Sequence, residues 1–196
     1  MSENKYQRSR DAAWSALLAS GVAELPVDLN AVTRALEIRV RTYQTEREFL
    51  RRNRLEEAAR ATDGMALFAA GAPAILFDPA RSPRRIRFTI AHEIGHLVLG
   101  HVRPGERTTI NREPSPEDSP TELAANVFAG CLLAPTCVVR ALGLRTAEEI
   151  ARACNVSTSA AEFRVARLEQ EPDDITSPLE EEVFRAFRPY IERVRE

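Results

Sequence analysis

All three histidines of this 196-residue chain fall within ten residues, at the end of the run Phe88-Thr89-Ile90-Ala91-His92-Glu93-Ile94-Gly95-His96-Leu97-Val98-Leu99-Gly100-His101. Read as a helix, the run puts His92 and His96 one turn apart on one face, with Glu93 about 100° round the axis. Ile90, Ile94, Leu97 and Val98 spread round the rest of the cylinder, which is the pattern of a helix buried on most sides. Two neutral imidazoles and a carboxylate in such a helix would each need a buried partner. A bound metal ion is a simpler explanation than three separate partners.

The spacing His-Glu-x-x-His is a zinc-peptidase signature, in which the two imidazoles bind the ion and the glutamate works on a coordinated water. Zinc brings the pKa of that water from about 15.7 towards roughly 7, and Glu93 is placed to take its proton. A catalytic zinc needs a third protein ligand, with the fourth position left to water. The apolar run 120–135 carries two polar residues at i and i+4, Glu122 and Asn126, which share one helix face. That pairing fits a third ligand with an amide that orients a ligand by hydrogen bonding. It equally describes a glutamate favoured by the dipole of a helix N-terminus, followed by an ordinary buried asparagine. His101 is the other candidate. The metzincin pattern wants a glycine three and a histidine six residues after the second ligand, and a methionine downstream. Here Leu99 and Val102 hold those places and the only methionines are Met1 and Met65. His101 is expected instead to cap the helix after Gly100 or to stand in the shell around the ligands. An oxyanion donor besides the zinc would come from His101, a tyrosine or an arginine.

A hydrophobic content of 44 % is enough for a real core, and a net charge of −2 argues against a general nucleic-acid binder. The first residues lack the apolar centre of a signal peptide, and nowhere do 18 apolar residues run together, so a cytoplasmic protein with no membrane segment is expected. Cys131, Cys137 and Cys154 are odd in number, show no Cys-x-x-Cys spacing and read as reduced core residues.

Along the chain, residues 4–19 read as a helix burying Trp14, Leu17 and Leu18, and Asp28 caps a second helix through about Leu36. Residues 38–43 alternate like a strand, and the charged stretch 44–61 reads as a solvated helix face. Residues 65–70 and 73–78 flank Gly71-Ala72 as a β-hairpin, whose edge could hold an extended substrate by β-addition. Arg84, Arg85 and Arg87 read as surface charge. The four prolines of 102–121 predict an irregular loop, a candidate lid. A capping box at Thr146–Glu149, a turn at 154–156 and a cap at Ser157 outline a helix-turn-helix. Within it Arg152, Arg164 and Arg167 stand against Glu148, Glu149, Glu162, Glu169 and Glu171, so direct DNA binding is not expected. A last helix from Ser177 carries the stripe Leu179, Val183, Phe187, Tyr190, Ile191 and Val194, which is expected to close the core.

Residues 87–101, 122–129 and 132–135 resemble the ImmA/IrrE-type metallo-endopeptidases, and 26–29 and 150–157 extend the likeness more weakly, so that most of 25–168 is covered. The resemblance implies an α+β, mostly helical, zincin-like (gluzincin) peptidase with a small β-sheet beside the zinc helix. It implies Zn2+ on His92, His96 and Glu122, with Glu93 as general base. The chain then divides into a peptidase domain, 1–143, and a helix-turn-helix-like extension with the last helix, 144–196. The implied partner is a protein substrate, a helix-turn-helix repressor from a neighbouring gene of a phage, integrative element or stress-response operon. Cutting it would relieve repression. Ala134 departs from the family, where methionine is frequent. The rival reading is a transcription regulator or protein-binding module that keeps the fold but does not cut.

Overall fold

The first helix buries its predicted side. In the computed structural model, which describes residues 3–105, 119–171 and 177–196, α1 (Glu3–Ser20) buries Ala13, Trp14, Ala16 and Leu17 and ends at Gly21, in the left-handed conformation at φ 68°. Asp28 caps α2 (Leu29–Ala35) by accepting the Asn30 N–H at 2.9 Å.

Strand β1 (Arg39–Thr42) runs parallel to β3 (Ala72–Phe77), and β2 (Gly64–Ala69) pairs antiparallel with β3, giving the order β1-β3-β2. The expected hairpin forms. Its two loop residues are Ala70 and Gly71, one position earlier than the spacing predicts, and both have positive φ as a type I′ turn demands. Strand periodicity sends Met65, Leu67, Ala74 and Leu76 to one face and Ile75 to the other, into the main core. Residues 44–61 cover the first of these faces. They form two short helices, α3 (Arg47–Arg52) and α4 (Glu56–Ala61), and their charges stay outside while Leu50 is buried against the sheet with Phe49, Leu55, Ala58 and Ala59 around it. The stretch is therefore a lid on the sheet as well as a solvated surface.

Two helices carry the chemistry. α5 (Pro83–Val98) packs on β2 and β3 and on α6 (Pro120–Leu133), which is buried along most of its length and rests also on α1. Proline at the first turn of each helix costs no hydrogen bond, since those N–H groups have no partner in the helix. The chain then continues through α7 (Thr136–Ala141), α8 (Ala147–Cys154), α9 (Thr158–Leu168) and α10 (Pro178–Arg195). The Thr146–Glu149 capping box forms, Asn155 turns the chain at φ 53°, and Ser157 caps α9. Val183, Phe187 and Ile191 of α10 enter the core, whereas Val194 at the end of the stripe is 54 % exposed. One continuous core takes in residues on both sides of position 143, from Ala13 to Ile191. Among the described residues no helix is long and apolar enough to cross a membrane.

Arg164 and Glu171 are both buried, although their sequence context reads as a charged surface. Arg164 Nη1 lies 2.7 Å from Glu171 Oε1, Nη2 donates to Thr136 Oγ1 at 2.6 Å, and Nε donates to the Ala134 carbonyl at 2.9 Å. The hydroxyls of Thr136 and Tyr6 also donate to the Glu171 carboxylate. The network joins α1, the α6–α7 corner and α9, and its members satisfy one another as buried charges require. The remaining charges on α8 and α9, Arg152 and Arg167 against Glu148, Glu149, Glu162 and Glu169, still leave that surface acidic.

Burial alone would raise the Glu171 pKa, but the Arg164 guanidinium and the two hydroxyls outweigh it and hold the carboxyl below its usual range. A depressed folded pKa adds stability that is complete above the unfolded value, about 4.3, and is lost as pH falls through the folded one. Glu171→Gln, which strands the guanidinium, should cost about 3–5 kcal/mol at pH 7 in urea titrations. The gap from wild type should narrow as the pH is taken below 4 and the wild-type carboxylate protonates.

Candidate metal centre

α5 ends in a Schellman turn, and the turn matters to the site. Gly100 takes φ 73°, its N–H donates to the Leu97 carbonyl at 3.2 Å, and the His101 N–H reaches back to the His96 carbonyl at 2.9 Å. This brings His101 over His96, with ring Nδ1 atoms 3.2 Å apart. His101 thus meets the edge of His96 opposite Nε2. It stands beside the cluster, outside the group of three that could share a metal ion.

The third donor comes from α6. Glu122 Oε2 lies 3.1 Å from His92 Nε2, Glu122 Oε1 lies 3.3 Å from His96 Nε2, and the two Nε2 atoms are 3.0 Å apart. Among the described residues these three form the only group of His, Cys, Asp or Glu side chains able to share one metal ion. The two sequence explanations of Glu122 turn out to be compatible: it occupies the first turn of α6, where the dipole favours an anion, and it faces both imidazoles. Where no metal holds those nitrogens, Nε2–H groups of His92 and His96 donate to it and keep its carboxyl far below the usual range, against the effect of burial. One turn on, Asn126 Oδ1 accepts from His92 Nδ1 at 2.9 Å. With a metal ion in place of the Nε2 proton, the ring proton of His92 would be the one on Nδ1, and the Nε2 lone pair would face the ion.

These separations test the fit of a metal. A tetrahedral ion with bonds of about 2.0–2.1 Å sets its ligands about 3.3–3.4 Å apart. The same separations suit Nε2–H groups donating to Glu122, and a cation taking the place of those protons would bind all three groups at once. The donor set fits a zinc-type ion.

Glu93 approaches the same point from beside the imidazoles and receives the backbone N–H of Ala66 on β2. The register explains why that N–H is available. The two-residue loop makes Ala69–Ala72 a bonded pair, so Gly64, Ala66 and Phe68 turn their backbone groups away from β3. Burial raises the Glu93 pKa, and His92, His96 and the Ala66 N–H only partly offset this. Such a shift brings a carboxylate closer to the pH at which a general base works best. A cleft of about 730 Å³ lined by Tyr43, Arg47, Arg51 and Arg60 opens over α3 and α4, on the other side of the sheet from this cluster.

Sequence reading missed two contributions. A Cβ on Gly64 would stand 2.4 Å from Thr89 Cγ2 and 3.4 Å from Glu93 Cγ, so only glycine lets β2 lie this close to α5. Arg87, read as surface charge, is half-buried and donates to the Val27 and Cys154 carbonyls, tying the first half of α5 to the start of α2 and the end of α8. Nothing in its spacing separates it from Arg85, which pairs with Asp63 at the surface, or from the exposed Arg84. Of the expected lid, residues 106–118 lie outside the described residues. The three cysteines are buried thiols, and burial pushes Cys137 and Cys154 up to about 12.

Residues 37–166 match the family profile of the IrrE N-terminal-like domain, Peptidase_M78. The chain belongs to this family. Its members are metallopeptidases of the IrrE and ImmA type, as the resemblance in the sequence implies. Comparison with curated proteins and with solved structures returns no match. The M78 match takes in α5, α6, the sheet and all the residues of the cluster, whereas α1 and α10 lie outside it.

Gly64→Ala should cost about 1–3 kcal/mol, because the added methyl meets a stiff β-branched side chain. Thr89→Ser removes the methyl in the way, so the double variant should regain most of the loss in a urea double-mutant cycle.

Proposed function

We propose that this M78 peptidase is a zinc endopeptidase with a zincin-like active site, acting in the cytoplasm on one specific protein. The observation that carries the reading is the convergence of His92, His96 and Glu122, from two helices, beside the half-buried Glu93 carboxylate, which takes the Ala66 N–H of an edge strand. His92, His96 and Glu122 would hold the ion, and Asn126 would keep His92 in the tautomer that binds it. When bound, zinc supplies Lewis acidity, acidifying a coordinated water and polarising the scissile carbonyl. Glu93 takes the proton of the attacking water and passes it to the leaving amine. The raised pKa of Glu93 suits both halves of that task.

An extended substrate segment would pair with the free edge of β2, through the Ala66 carbonyl and the N–H and carbonyl of Phe68. This places its scissile bond beside Glu93. The substrate proposed is a helix-turn-helix repressor encoded by an adjacent gene, cut to release transcription. Two features support a protein partner over DNA: the family is one of peptidases, and the helix-turn-helix-like pair α8–α9 presents an acidic surface.

Two measurements test the reading. The protein should take up one zinc per chain and unfold at a higher temperature with the metal, and Glu122→Ala should lose most of that rise. Mixed with the zinc-loaded protein, the product of the adjacent gene should yield defined fragments by mass spectrometry. Glu93→Gln should keep the zinc but slow cleavage by about 10²–10⁴-fold. Equal cleavage by both forms would remove Glu93 from its role; zinc uptake with the repressor inactivated but uncut would favour a regulator that does not cleave.

A further inference from the structure

The two imidazoles of the cluster are steadied from behind by different means. His92 is held across the helix interface, by Asn126 on α6. His96 is held by the turn that ends its own helix. The His101 ring stands edge-on to it, with centroids 5.1 Å apart, an interplanar angle of 73° and an Nδ1–Nδ1 separation of 3.2 Å. Two ring nitrogens at that distance share one proton. We propose that His101 is a positioning residue: it accepts the Nδ1 proton of His96 and so leaves the Nε2 lone pair of that ring facing His92 and Glu122. The inference rests on the metal-centre reading and adds to it the device that prepares the second imidazole.

The direction of the hydrogen bond follows from the cluster. His96 Nε2 lies 3.0 Å from His92 Nε2 and 3.3 Å from Glu122 Oε1, so a cation there needs its lone pair. The single ring proton of His96 is then on Nδ1, and His101 Nδ1 must accept it. Chain geometry makes the contact possible. In a helix continued without interruption, residue 101 would lie about 140° round the axis from residue 96, far from its ring. Gly100 at φ 73° reverses the chain, and the same pair of residues is joined twice, by the His101 N–H to the His96 carbonyl and by the two side chains. One left-handed glycine converts a helix ending into a support for a ligand.

The experiment compares His101→Asn and His101→Leu with wild type, measuring zinc affinity by chelator competition and the thermal midpoint of the metal-free protein. Asparagine Oδ1 falls where histidine Nδ1 was and keeps an acceptor; leucine fills similar space without one. The Leu variant should bind zinc about 10–100-fold more weakly and the Asn variant within about threefold of wild type. All three metal-free midpoints should agree. The proposal is overturned if the Leu variant binds as tightly as wild type, or if the Asn variant weakens as far as the Leu variant. It is overturned equally if the metal-free midpoint falls along with affinity or if the Leu variant does not fold, since His101 would then support the helix end rather than the ligand. A wild type that takes up no zinc would overturn the metal-centre reading itself, before any variant is compared.

Discussion

The site depends on the close packing of α5 on α6. A Cβ on Gly95 would come within 3.1 Å of the Phe128 Cβ and Cδ1, so the absence of a side chain at that position lets the two helices approach. His92 and His96 project from one helix and Glu122 and Asn126 from the other, on either side of this contact. A shift between the helices would separate the carboxylate from the imidazoles, and a few tenths of an ångström decide whether three donors share one ion. Phe128 and Ile94, both fully buried, hold the spacing from within the core.

Around that contact each group of the cluster has a partner from a different part of the chain. Asn126 holds His92 from the neighbouring helix, the turn at Gly100 brings His101 to His96, and Ala66 on the edge strand holds Glu93. Arg87 fixes the helix that carries three of these residues to the start of α2 and the end of α8. The buried Arg164–Glu171 pair does similar work at a distance, joining α1 and α9 to the end of α6. α1 and α9 flank α6, so segments outside the peptidase motifs stiffen the helix that bears Glu122.

Much of this was legible along the chain. The His92–His96 spacing, the Glu122–Asn126 pair, the hairpin and the caps at Asp28, Thr146 and Ser157 are local patterns, set by helix and strand periods and by the hydrogen bonds open to short polar side chains. The burial of Arg164 and Glu171 and the anchoring by Arg87 were not legible, because a charged residue in an amphipathic helix reads the same whether it meets water or a distant carbonyl.

By itself the sequence determined which groups are the candidates: three histidines, two glutamates and an asparagine, with His92 and His96, and Glu122 and Asn126, each paired on one helical face. Tertiary structure decided which of the candidates meet. It brought Glu122, and not His101, to the Nε2 atoms of both imidazoles, turned His101 against the back of His96, and brought the free edge of β2 to Glu93 through Gly64. The physical reason is reach. A helix or strand period relates residues a few positions apart, whereas contacts between residues some thirty apart, such as His92 with Glu122, exist only once the core has set the distance between the elements that carry them.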